Sequence, residues 1–516
     1  MEESKATRMT CEEIAYYTWN EKYRNSEETI DETSRRTAAF AATNDSDWLE
    51  QFHRVISEKL FIPAGRILSN AGTNRPKSTM SNCYFLDTIP DTMDGIFSML
   101  HESALIMQAG GGIGMDFSGL RPKGAPVKGT GSVSSGPVSF AQVWDAMCKT
   151  IEAAGSRRGA QMGIMRVDHP DIDLFINAKK KDALGENALT MFNLSVAVTD
   201  DFVDAVRKDL EWKLTHNGKV YKTVKAAELW DRIMTSNYYD WEPGILFIDR
   251  INKMNPLWYA ETITGTNPCG EQPLPPYNSC NLGSFALPNF VTNPFIGLST
   301  FDFLKFEETV KTAVRFMDNI LDLNYYPLQK IREQSLATRR IGLGITGLTD
   351  TLSMLGLRYG SEEGVELSQR IMQTLRNAAY SASVDLSKER GAFPKFDRDK
   401  HLSGAFIKAL PDQIQQGIYR HGIRNSHLIT IAPTGTTSLF CGNLSSGVEP
   451  YFGVDYGRSI RTGKGEAKIS IESSHYSIEL YRNSNGNGTG PLPDCILANV
   501  ASNIGYKDHL RMQGML

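Results

Sequence analysis

Four prolines, Pro268, Pro273, Pro275 and Pro276, exclude a helix from the stretch TNPCGEQPLPPYNSCNLGS at 266–284. The backbone there must be extended or turning. In an extended chain, residues two apart face the same way, so Asn267, Cys269 and Glu271 are expected on one side. That pattern gathers an amide, a thiol and a carboxylate around one small volume. Together these groups can hydrogen-bond a diol, give up a hydrogen and move a proton. Taken alone, a cysteine between prolines is more often an incidental surface turn.

Around this loop the chain alternates short apolar runs, Gly-rich turns and amphipathic helices. The charged residues 1–58 carry helix-start signals, such as Thr10 ahead of Glu12 and Glu13, and read as a helical segment. The remainder, 59–516, reads as α/β with a parallel sheet. Apolar spacing predicts helices over 139–154, with Ser139 as cap, and over 302–322 and 361–389. Strands are expected at 245–248, 341–345 and 428–432, and a loop at NSNGNGTG, 483–490.

Composition narrows the function classes. The chain has 516 residues and a net charge of −4, so no basic surface argues for nucleic acid. The N-terminus, MEESKATRMTCEE, is no signal peptide, and no apolar run of about 18 residues predicts a membrane span. Seven scattered cysteines, at 11, 83, 148, 269, 280, 441 and 495, suit reduced thiols in the cytoplasm. Cys-x-x-Cys is missing, so no zinc site is expected. The glycines at 110, 111, 112 and 114 do not fit Gly-x-Gly-x-x-Gly, which argues against a nicotinamide site. His169, beside Pro170, reads as a structural histidine rather than a metal ligand.

Further motifs follow in order. Ser81-Asn82-Cys83-Tyr84 lies upstream, and SCNLGS places Cys280 eleven residues after Cys269. PTGTTS, Pro433–Ser438, comes after an apolar run; such a turn exposes backbone N–H groups and hydroxyls and can cradle phosphate. Between them stand GGGIGMDFSGLRPKG (110–124), SRRGAQMGIMRVDHPDI (156–172) and RRIGLGITGLTD (339–350). From about 60 to 460 this series resembles the ribonucleotide reductase catalytic subunits, and the 156–172 stretch is most similar to their adenosylcobalamin-dependent class.

The resemblance implies a ten-stranded α/β barrel of two half-barrels around a central finger loop. It implies that Cys269, buried, carries the thiyl radical, that Glu271 is the base for the 3′ hydroxyl, and that Asn267 bonds the sugar. Cys83 and Cys280 would be the reducing pair that ends as a disulfide. Gly65, Asn82, Cys83, Gly112, Asn267, Pro268, Cys269, Gly270 and Glu271 would contact substrate, with Pro433, Thr434, Gly435, Thr436 and Thr437 at its phosphates. Two specificity loops would hold Gly131 and Ser132, and Arg157, Arg158 and Gln161, for a deoxynucleotide effector at a dimer interface. Adenosylcobalamin is the implied cofactor and a thioredoxin-like dithiol the implied reductant. A catalytic subunit fed by a separate metal-radical subunit, and a nucleotide-binding paralogue without chemistry, are the alternatives.

Two departures from the family pattern stand out. About 60 residues ahead of the barrel are too few for an ATP-binding activity domain, so no on/off switch of that kind is expected. The end resembles a segment that in relatives runs on into further barrel and a cysteine pair, so a split enzyme whose second chain supplies that part is expected, with a shortened chain as the alternative; Tyr506 is a poor relay tyrosine.

Overall fold

The computed structural model describes residues 7–127, 129, 131–153, 157–180, 189–461, 468–484 and 490–516. The loop expected at 483–490 falls mostly outside them. Three helices lead the chain: α1 (Cys11–Lys22), α2 (Ile30–Ala41) and α3 (Leu49–Ser57). Thr10 with Glu13, and Thr29 with Glu32, form capping boxes that satisfy the free N–H groups at the first two helix starts. Trp19, Ala38, Phe52 and Ile56 bury their side chains in a core shared with later helices and the sheet.

Eight strands build the main sheet: β1 (Phe61–Pro63), β2 (Cys83–Thr88), β3 (Gly112–Asp116), β4 (Gln161–Arg166), β5 (Phe192–Val198), β6 (Gly244–Phe247), β7 (Asn278–Ala286) and β8 (Ile341–Thr346). The order is β6-β5-β4-β3-β2-β7-β8, with β1 on β7. Neighbours from β6 through β2 run parallel. β7 is antiparallel to β2 and to β1 but parallel to β8, so the chain direction reverses between β2 and β7. The parallel strands are apolar over most of their length because helices cover them, which is why their sequences do not alternate. Ten strands were expected; this sheet holds eight among the described residues.

The expected strand at 428–432 runs beside β8 but forms only one isolated bridge, Leu343 to Ile429. A Cβ on Gly344 would stand 2.3 Å from the Thr430 carbonyl oxygen. The segment therefore packs close along the edge of β8, bonded through Leu343, and Pro433 ends it without a donor.

The helix expected at 139–154 is α4 (Pro137–Thr150). Pro137 occupies a first-turn position, where its missing N–H costs nothing, and Gly136 rather than Ser139 is the cap. Ser139 instead donates to the Ser135 carbonyl at 3.0 Å. The other two predicted helices are α5 (Phe303–Leu323) and, beyond α6 (Gln329–Thr338), α7 (Glu362–Arg390). Among the described residues no helix is long and apolar enough to cross a membrane.

Candidate active site

The proline-rich segment is a hairpin. Gly265 and Thr266 pair antiparallel with Leu274 and Pro273, and residues 267–272 form the tip. The hairpin stem presses on β3: a Cβ at Gly114 would lie 1.8 Å from the Thr266 carbonyl oxygen, so only glycine fits there. At the tip Gly270 donates to the Asn267 carbonyl at 3.1 Å and has φ +82°, a conformation that favours glycine. The straight-strand alternation expected for 267, 269 and 271 is therefore replaced by a turn, because Pro268 and Gly270 bend the chain.

The turn still brings the predicted groups together. The Asn267 amide donates to the Glu271 carboxylate at 2.6 Å and approaches the Cys83 sulfur at 3.2 Å. The Cys83 thiol donates to Glu271 at 3.4 Å. Asn267 is itself held by the Gln272 N–H at 2.9 Å, and Asn193 holds the Pro268 carbonyl at 2.6 Å. Cys83 opens β2 and stands opposite Cys280 of β7 in the antiparallel ladder. Directly opposed residues have Cα atoms about 4.5–5.5 Å apart, inside the range a disulfide accepts. Both are free thiols here, in a buried cluster with Ala64, Leu282 and Ala432.

One cavity of about 220 Å³ joins these groups. Of the residues expected at substrate, Gly65, Asn82, Cys83, Gly112, Asn267, Pro268, Cys269, Glu271 and Pro433 to Thr437 all line it. Gly270 and Cys280 do not; Gly270 makes the turn, and Cys280 lies behind Cys83. Gly112 sits against Pro268, 3.0 Å from where its Cβ would be. Thr434 has φ +50°, and its hydroxyl contacts Thr346 at 3.0 Å and accepts from the Gly447 N–H at 2.9 Å. That fixes the turn into α8 (Thr437–Phe440).

Cys269 departs from expectation. Rather than buried, it is exposed at the cavity rim, because the tight turn carries it outward and nothing lies within 4 Å of a Cβ on Gly270. The walls around it, then Glu271, still push its thiol up to about 11. Burial, Glu271 and the other two cysteines raise the Cys83 thiol well above its usual range. Burial raises Cys280 too, with Arg340 opposing and Glu271 adding. All three sulfurs therefore keep their hydrogens at neutral pH.

Sequence reasoning missed Arg66 and Ser284, which line the cavity beside Gly65 and Gly283, and also Gly159 and Ala160. The cation directly after Gly65 was the available signal for Arg66. Of the expected effector residues, Gly131 is exposed in a turn with φ +67°, and the Ser132 carbonyl accepts from Val127 at 2.9 Å. Thr130 and residues 154–156, and the side chains of Arg157 and Arg158, lie outside the described structure. Gln161 was expected in a loop but opens β4, fully buried, donating to the Trp144 carbonyl at 3.1 Å. Its run QMGIM is apolar around a single amide, which is strand chemistry. His169 is buried between the Leu120 carbonyl and the Asp171 N–H, with its pKa lowered to about 4 by burial, so its role is structural.

Comparison with known proteins accounts for this arrangement. The family model "Ribonucleotide reductase, barrel domain" matches residues 81–483, and "Ribonucleotide reductase, all-alpha domain" matches 9–76. The chain belongs to the ribonucleotide reductase family. The chain is similar to a vitamin B12-dependent ribonucleoside-diphosphate reductase of Thermoplasma acidophilum, 39% identical over 449 residues, covering 85% of this chain and 55% of that protein. The protein of the same name from Mycobacterium tuberculosis is 38% identical over 454 residues, covering 86% and 62%. A ribonucleoside-diphosphate reductase large subunit of Caenorhabditis elegans is 30% identical over 491 residues, covering 87% and 60%. The chain thus spans little more than half the length of the relatives it matches.

Proposed function

We propose that this chain carries the catalytic site for reduction of ribonucleotides, as diphosphates or triphosphates, to 2′-deoxyribonucleotides for DNA synthesis. The carrying observation is the contact set Cys83–Asn267–Glu271, with Cys269 and the phosphate turn on the same cavity. Cys269 as a thiyl radical takes the 3′ hydrogen of the ribose. Glu271 accepts the 3′ hydroxyl proton, and Asn267 orients the diol. Cys83 protonates the departing 2′ hydroxyl, which leaves as water. The Cys83–Cys280 pair supplies two electrons and becomes a disulfide, and Cys269 returns the hydrogen to C3′. The balance is ribonucleotide plus two thiols to deoxyribonucleotide, disulfide and water.

Adenosylcobalamin is the cofactor of this reading. The exposed Cys269 sulfur, with open space around Gly270, fits a bulky group that reaches the loop from outside. When bound, it supplies radical chemistry through its cobalt–carbon bond. The higher identity to relatives named vitamin B12-dependent supports this over a separate metal-radical subunit. A deoxynucleotide effector, a thioredoxin-like dithiol, a second copy of the chain and a cytoplasmic setting complete the reading. The boundary near residue 58, between helical segment and barrel, belongs to it as well.

The test gives the intact protein nucleotide, dithiothreitol and adenosylcobalamin. Deoxynucleotide formed only with the cobalamin supports the proposal. Activity only with a metal subunit replaces the cofactor, and nucleotide binding without turnover under any condition replaces the enzyme with a binding protein.

A further inference from the structure

The two thiols of the reducing pair face each other but have unlike surroundings. Cys83 lines the cavity and touches Asn267 and Glu271. Cys280 is fully buried behind it, and its thiol bonds only to the Asn281 carbonyl at 3.2 Å among the described residues. Asn281 of β7 pairs with Ile341 of β8 in a parallel ladder, so Arg340 occupies the position beside Cys280. The Arg340 side chain is fully buried. One nitrogen meets Glu261, while Nε and Nη1 find no acceptor among the described residues. The Arg340 charge is matched by the Glu261 carboxylate, but the two open donors, stripped of water, are costly unless a further acceptor arises near them. At Cys83, burial, Glu271 and the neighbouring cysteines disfavour the thiolate while the Asn267 amide bonds the sulfur; at Cys280, burial and Glu271 disfavour it and the Arg340 charge opposes them.

We infer that Arg340 is a positioning residue that makes Cys280 the leaving sulfur when the Cys83–Cys280 disulfide is re-reduced, so that an external dithiol opens the bond at Cys83 from the cavity. The inference rests on the reading of this pair as the reductant. The attacking thiolate sulfur bonds to the Cys83 sulfur, and the bond between the two cysteine sulfurs breaks. Its electron pair goes to Cys280 as a thiolate beside Arg340. The dithiol's second thiolate then attacks its own sulfur in the mixed disulfide. Cys83 leaves as a thiolate, and both cysteines take up protons. Exchange favours the accessible sulfur as target and the sulfur whose thiolate is stabilised as leaving group; Cys83 lines the cavity and the Arg340 charge acts on Cys280, so the geometry serves both.

The protein is oxidised with diamide, pulsed with glutathione and quenched with N-ethylmaleimide, and peptides containing residues 83 and 280 are read by mass spectrometry. Glutathione on Cys83 and maleimide on Cys280 are expected; glutathione on Cys280 overturns the inference. Arg340→Gln is expected to slow dithiothreitol reduction of the pair roughly three- to thirtyfold, from a charge effect of about 1–3 pKa units and a dependence of about half a log per unit. Arg340→Lys restores most of the rate. A folded Arg340→Gln variant with unchanged rate also overturns it, and should that variant not fold, the partition in the unaltered protein decides. If diamide forms no Cys83–Cys280 disulfide, the reading of the pair falls with the inference. If the disulfide forms but opens at Cys280, only the role of Arg340 falls.

Discussion

Two buried charged clusters lie on this fold, and they treat their polar atoms in opposite ways. Asp318 on α5 is fully buried, and both its oxygens are used. One accepts from Arg339 and Asn425 at 2.9 Å each, the other from Arg424 at 3.2 Å and Arg390 at 3.4 Å. Arg339 also grips Asp322, and Arg390 also grips Asp45. The cluster ties α5, the turn after α6, α7 and residues 424–425 into one piece. In the Arg340–Glu261 pair near Cys280, by contrast, Arg340 Nε and Nη1 and Glu261 Oε2 have no partner among the described residues, nor has His427 Nε2, nor Asn82 Oδ1 on the cavity wall. A charge that only holds a structure together must be fully satisfied, since an unpaired buried polar group costs about 1–3 kcal/mol. Groups that act on a ligand must keep bonding capacity free.

Substitutions on either side can break that contrast. Cys269→Ala is expected to abolish deoxynucleotide formation while nucleotide binding and Tm stay near those of the unaltered protein; residual turnover would remove Cys269 from its role. Glu271→Gln should lower kcat by about 10²–10⁴-fold, the usual worth of a positioned acid–base group. Asp318→Asn should lower unfolding free energy by about 3–5 kcal/mol, because it leaves buried guanidiniums without their counter-charge, with activity per folded molecule retained. Denaturant titration of that variant also tests the sign of its pH dependence. Burial alone would raise the Asp318 carboxyl, but Arg339 and Arg424 hold it below its usual value. Its stabilisation is therefore complete above the unfolded pKa of about 3.9 and disappears as pH falls through the lower folded value. The gap between the two proteins should close in acid. Gly114→Ala should have the smallest effect, about 1–3 kcal/mol of overpacking against the Thr266 carbonyl, yet it should depress activity by moving the hairpin.

Much of the site was legible from residue types. NPCGEQ, the second cysteine and PTGTTS each carry a side chain or a turn that only a few chemistries use together, and thirteen of the fifteen residues predicted at the substrate or in the reducing pair line the cavity. Less was legible where packing decides. Gln161 reads as a polar loop residue, yet it enters a strand because its neighbours Met162, Ile164 and Met165 must be buried. The run 428–432 has strand composition and bonds beside β8 through Leu343, but only a single bridge registers before Pro433 ends it.

By itself the sequence determined the helical lead, the α/β pattern and the identity of the reactive groups, because periodicity, caps and proline chemistry act over a few neighbouring residues. Only the tertiary structure decided that Cys83 faces the cavity while Cys280 hides behind it, that Arg340 stands beside the hidden sulfur, and that Cys269 reaches the rim. Those facts depend on strand register and on a hairpin turn that bring together residues tens to hundreds of positions apart, and no local spacing encodes which of two opposed thiols faces the cavity.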